Sequence, residues 1–157
     1  MSKELAAAKK ELREKSNVTQ AYSLYLAVPI SLIIILALAM LDVNIGNPST
    51  VILVLVVMGH IRISKLTLLS NKKYIAPILY YLTNIIVLIC LFAIFLMPSV
   101  NEFYLFLGIT GLVAVPLEIV ISVFYFITAN DIKKAYPNMN QEVAEARKKY
   151  QMLKKMD

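Results

Sequence analysis

The stretch YSLYLAVPISLIIILALAML, residues 22–41, carries no charged side chain and is long enough to cross a hydrocarbon core, which takes about 20 residues in a helix. Three further apolar runs follow it. Residues 49–69 begin after Asn47-Pro48, a pairing suited to a helix cap and first helical position. Residues 74–97 are uncharged, with Pro77 in the first turn, where a missing N–H is tolerated. Residues 103–128 contain a single acid, Glu118. With 59% hydrophobic residues in 157 positions, the chain has more apolar surface than a soluble domain of that size can hide, so the surplus must face lipid. The expected fold is an all-α membrane protein, residues 22–128, with four antiparallel transmembrane helices.

Short connections support that layout. Residues 42–47 carry Asn-Ile-Gly-Asn turn chemistry, residues 70–73 are polar, and residues 98–102 join the last pair. Links of this length force neighbouring helices to run antiparallel. Ser99 and Glu102 have capping-box spacing, which gives Glu102 a structural role at the start of the fourth helix.

Lys and Arg are retained on the cytoplasmic face of a membrane. All sixteen of them fall in residues 1–21, in the end of the second run with its following loop, or in residues 129–157. The expected topology therefore puts both termini in the cytoplasm, at the cell membrane. The net charge of +6 matches an anionic inner leaflet, and no module specific for nucleic acid accompanies it. Arg62, Lys65, Lys72 and Lys73 are the expected headgroup contacts, their apolar stems lying along the bilayer. Residues 22–41 follow a charged lead and lack a small-residue cleavage site, so insertion without cleavage is expected. Asn17-Val18-Thr19 matches a glycosylation acceptor but falls on the inner side.

Polar residues inside the hydrocarbon are costly and tend to face the bundle interior. Thr110, Ala114, Glu118 and Ser122 recur every four residues on one stripe of the fourth run. His60, Ser64, Thr67 and Asn71 share a sector of the second, with Arg62 and Lys65 opposite. Counted from the outer boundary, His60 lies about 16 Å deep and Glu118 about 22 Å, with Asn84 near the same level. These positions predict an intramembrane polar site of His60, Asn84, Glu118 and Ser122. It would serve either as a proton-sensitive or ion-conducting site or as polar glue that fixes helix register. Pro116 could free a backbone carbonyl beside Glu118.

Both tails have helical patterns. Met139, Val143, Ala146, Tyr150 and Leu153 alternate at spacings of four and three behind a Pro137-Asn138 start, while Leu5, Ala8 and Leu12 form a weaker stripe in residues 1–21. Two heptads are too few to be stable alone. This amphipathic C-terminal helix therefore needs the membrane surface, the N-terminal helix or a partner chain, and Val143, Ala146, Tyr150 and Leu153 are the expected docking residues.

Catalytic signatures are absent. There is no metal-binding His-Glu-x-x-His helix, nucleophile elbow or phosphate loop, and the chain has one His and one Cys, Cys90. No cofactor, metal or enzymatic activity is expected. Two functions fit: a non-enzymatic subunit or accessory or regulatory factor of a membrane assembly, held by other membrane chains, or a homo-oligomeric pore, channel or membrane-perturbing effector with Glu118 and His60 at a polar intramembrane site, the Glu118 stripe lining the path.

Overall fold

The computed structural model describes residues 3–43, 48–94 and 100–156, and these are helical with no strand. In chain order the elements are α1 (Lys3–Met40), α2 (Ser49–Ile63), a 3-10 turn (Asn71–Tyr74), α3 (Ile75–Ile94), α4 (Val100–Ala135) and α5 (Met139–Met156). Among the described residues, three helical stretches are long and apolar enough to cross a membrane: Lys3–Met40, Asn71–Ala93 and Tyr104–Ala135. The fourth apolar helix, Ser49–Ile63, has 15 residues, about 22 Å of rise against a core of about 30 Å.

The N-terminal helix and the first apolar run, expected as separate elements, are one helix of 38 residues. No Gly or Pro interrupts it before Pro29, and its charged half is rich in Ala, Leu, Glu and Lys, all strong helix formers. Pro29 is buried and removes one bond to the Tyr25 carbonyl, yet the helix continues through it. At about 57 Å, α1 is nearly twice as long as the hydrocarbon core is thick. It ends in a Schellman motif: Val43 N donates to Leu38 O and Asp42 N to Ala39 O, with Asp42 at φ 58°. Asp tolerates this left-handed position better than most residues because its short side chain can bond locally.

The second helix stops at Ile63, well short of residue 69. Its closing turn tightens through Lys65 N to Arg62 O and Leu66 N to Ile63 O. Ser64 Oγ donates back to Ile61 O. The Arg62 carbonyl, which already accepts from Lys65 N, takes a second bond from Asn17 Nδ2 of α1 at 3.1 Å, a tie from a distant helix at the end of α2. Thr67 and Asn71 consequently leave the face that continuous helix would have given them.

Both α2 and α4 pack on α1, while α3 packs chiefly on α4. The core runs along the heptad Val18, Ala21, Tyr25, Val28 and Leu32 of α1, joined by Ile52, Val56 and Ile63 of α2 and by Ile121, Tyr125, Ala129 and Ile132 of α4. Most apolar side chains further along α3 and α4 are exposed, among them Ile85, Ile89, Ile109 and Leu112, as suits helices solvated by lipid.

Beyond this core α5 turns back along the polar half of α1. Lys15 pairs with Glu142 at 2.6 Å and Glu11 with Lys149 at 2.7 Å. Contacts step down α1 as they step up α5, so the two helices are antiparallel. Met139 and Ala146 are buried, and Val143, Tyr150 and Leu153 half-buried. Leu5 and Ala8 of α1 are buried as well. The Ser99–Glu102 capping box lies outside the described residues.

Candidate functional site

Tyr25 is the centre of the polar collar that the helices form where α2 ends. Its side chain is fully buried, and its ring lies 4.9 Å from that of Tyr125 in α4, tilted by 57°. Gly59 of α2 faces it closely enough that an added Cβ would sit 3.5 Å from Tyr25 Cε2. The Tyr25 hydroxyl donates to the Lys73 carbonyl at 3.1 Å, so one residue ties α1 to α2, α4 and the connector before α3. The Tyr125 hydroxyl, buried beside it, has no partner among the described residues.

Lys73 itself is buried, at 7% exposure. Its ammonium donates to the Leu66 carbonyl and lies 5.1 Å from the centre of the Tyr74 ring. The expectation placed Lys73 among headgroup contacts; the structure turns it inward to staple its own loop. Lys72 and Lys65 are exposed. Arg62 sits half-buried, its Nη1 donating to Asn17 Oδ1 at 3.3 Å while Asn17 Nδ2 donates to the Arg62 carbonyl. Asn17, only 6% exposed, thus holds both the backbone and the guanidinium of one residue.

His60 belongs to an aromatic cluster. Its ring stacks on Tyr81 at 5.8 Å and tilts against Tyr74 at 5.5 Å. His60 Nδ1 and the Tyr81 hydroxyl are 3.3 Å apart, one donating to the other according to which ring nitrogen carries the proton. Asn84 is exposed, and its side-chain amide donates back to the Tyr80 carbonyl at 2.8 Å. Among the described residues, no hydrogen bond or ion pair joins His60 or Asn84 to Glu118.

Glu118 and Ser122 do come together. They line a crevice of about 140 Å³ between α4 and α1, with Leu32, Leu36 and Phe126. Ser122 is buried and Glu118 half-buried, and among the described residues the Glu118 carboxyl has no hydrogen-bond or ion-pair partner. The rest of the expected stripe turns elsewhere: Thr110 and Ala114 line a groove against Thr83, Val87 and Cys90 of α3. Thr83, Thr110 and Thr128 each donate to a carbonyl four residues back, in their own helix, which satisfies them without neighbours. Helix α4 continues through Pro116.

In the α1–α5 pair, Val143 lies by Ser16, Thr19 and Met58, and Leu153 by Ala7 and Ala8. The chain's own α1 thereby takes faces that the periodicity offered to a partner. The hydrogen bond from Lys149 and its charge hold the Glu11 carboxyl below its ordinary range, and the hydrogen bond to Glu142 raises Lys15. Both groups lie outside residues 22–41. The Glu11 contribution is lost as pH falls through its lowered value, and the Lys15 contribution as pH rises through its raised one, so both pairs persist around neutrality. Exposed pairs of this kind add little stability, but they fix the register of the two helices. Among the described residues, no three His, Cys, Asp or Glu side chains form a metal-binding group.

Compared with protein-family models, with curated proteins and with solved structures, this chain matches none.

Proposed function

We propose that this protein is a four-span membrane protein with both termini in the cytoplasm, acting as a non-enzymatic subunit or accessory factor of a membrane assembly. One observation carries the reading: Glu118 stands half-buried at an apolar crevice, without a partner among the described residues. An ionised acid in mid-helix costs about 2.5–3.5 kcal/mol on insertion scales, and such residues pair with another polar group. Within the chain, Ser122 is the polar residue of the crevice and Tyr80 lies within electrostatic reach of Glu118, but neither is hydrogen-bonded to its carboxyl among the described residues; His60, the chain's one histidine, is occupied by Tyr74 and Tyr81. The missing partner is therefore assigned to a second chain, as a transmembrane helix presenting a basic or hydrogen-bond-donating side chain to the α1–α4 crevice. Packing into that crevice would cover Leu32, Leu36 and Phe126 as well. The antiparallel α1–α5 stalk extends the same surface into the cytoplasm, and its short outer loops leave little for extracellular binding.

In this reading α2 is a short second span, with the exposed cations Lys65 and Lys72 of the connector that follows it at the inner boundary. The homo-oligomeric pore draws on the same carboxyl, with copies of this chain meeting at Glu118.

Native-mass stoichiometry of the full chain, extracted from its own membrane in mild detergent, tests the reading. The wild type is expected to run with another membrane chain. Glu118→Leu should lower its recovery at least tenfold, a loss equal to about 1.4 kcal/mol, and Glu118→Gln, which keeps hydrogen-bonding capacity, should lower it less. A wild type that runs as a monomer, with no response to either substitution, contradicts the proposal. A homo-oligomer with Glu118-dependent ion flux in proteoliposomes selects the pore instead.

A further inference from the structure

A groove of about 590 Å³ opens where α1 meets the α2–α3 connector, lined by five cations, Lys10, Arg13, Lys15, Arg62 and Lys65, against one carboxylate, Glu14. Lys10, Arg13 and Lys65 are exposed and have no hydrogen-bond or ion-pair partner among the described residues. Lys15 is shared with Glu142. Arg62 is different from the flexible lysines, because the buried Asn17 grips its Nη1 and its carbonyl. That grip orients a planar fork whose other N–H donors have no partner among the described residues. An oriented guanidinium among mobile ammonium groups is the arrangement that recognises phosphate oxygens, the Arg by paired donors and the Lys by point charge.

We infer that this groove binds a phosphate-bearing anion, and that its source is the headgroup of an anionic phospholipid of the inner leaflet. The position favours a lipid over a soluble anion. Asn17, Arg13 and Lys10 lie on α1 about 7, 14 and 18 Å of helical rise before the apolar run of residues 22–41 begins, and Val18, Leu66 and Tyr136 give the groove apolar walls. A headgroup seated there keeps its glycerol end against those walls and its acyl chains in the bilayer. Clustered cations beside a membrane span add attraction for anionic lipid, and a positioned Arg adds geometry that a loose basic tail lacks. The inference rests on the inner placement of residues 1–21 and is independent of what docks at Glu118.

The test uses the purified full chain in detergent, titrated with dioleoylphosphatidylglycerol or dioleoylphosphatidylcholine and read by native mass spectrometry. The wild type should retain phosphatidylglycerol at least tenfold more strongly. Lys10→Gln with Lys65→Gln, which breaks no bond within the chain, should remove most of that preference. Lys154→Gln with Lys155→Gln removes equal charge at the far end of the stalk and should leave it intact. Arg62→Gln should reduce it further, with Arg62→Lys intermediate. Inorganic phosphate alone, at a few millimolar, separates the sources: if it binds with the same dependence on Lys10 and Lys65 while the two lipids bind equally, the groove stands as a site for a soluble phosphate. Equal losses in the two double variants, or none in either, would overturn the site. Glu118→Leu should not change the lipid preference, so failure here and failure of the docking reading are distinguishable.

Discussion

Tyr25→Ala is expected to destabilise the folded chain by about 3 kcal/mol, as large aromatic truncations in packed cores do. The transfer part of such a loss shrinks when the surroundings are lipid, but the lost van der Waals contacts remain. Tyr25 is fully buried against Tyr125 and Gly59 and bonded to the Lys73 carbonyl. Two milder variants separate packing from hydrogen bonding. Tyr25→Phe should cost about 1 kcal/mol, because it strips the bond from a buried carbonyl. Tyr125→Phe should be neutral or slightly stabilising, since its buried hydroxyl has no partner among the described residues. Reversible unfolding in mixed micelles measures all three, and a Tyr125→Phe loss exceeding that of Tyr25→Phe would contradict the account of the collar.

Removing residues 138–157 should release the polar half of α1. That half packs against α5 with Leu5 and Ala8 buried, and the Lys15 and Glu11 pairs set the register of the two helices. Without α5 the segment is an exposed extension of the apolar half of α1, free to fray from its N-terminal end. Hydrogen exchange should therefore show amide protection in residues 3–15 falling at least a hundredfold, while residues 22–40 keep theirs. Protection that stays unchanged in residues 3–15 would mean that the first half of α1 stands on its own.

Much of this arrangement is legible in the sequence, for physical reasons that differ from element to element. Uncharged runs announce apolar helices because hydrocarbon tolerates little else. The spacing of Met139, Val143, Ala146, Tyr150 and Leu153 announces the less exposed face of α5, because helical periodicity depends only on local geometry. Its contact, by contrast, is set by α1. The early end of α2 is hard to read because part of what holds it, the bond from Asn17 to the Arg62 carbonyl, comes from far away in the chain. Lys73 reads as an exposed cation until the fold brings the Leu66 carbonyl to its ammonium.

The expected cluster of His60, Asn84 and Glu118 shows the same limit from another direction. Residue counting gives height along a helix but not which neighbour lies on each side. Helices α2 and α4 both pack on α1, which receives Glu118 in its own crevice while His60 turns toward Tyr74 and Tyr81. Of the four residues expected together, Glu118 and Ser122 share a site. The sequence marks Tyr25 as a packing centre only by its spacing from Val18, Ala21, Val28 and Leu32, a strict heptad.

Every part of the functional reading requires lipid around the apolar helices and all cations on one side of it. Single cysteines in a Cys90→Ser background test this most directly, with Lys9→Cys and Lys148→Cys on the stalk and Asp42→Cys and Asn101→Cys at the opposite end. In intact cells, a membrane-impermeant maleimide should label positions 42 and 101 and reach positions 9 and 148 only after permeabilisation. Labelling of position 9 or 148 in sealed cells would contradict the account.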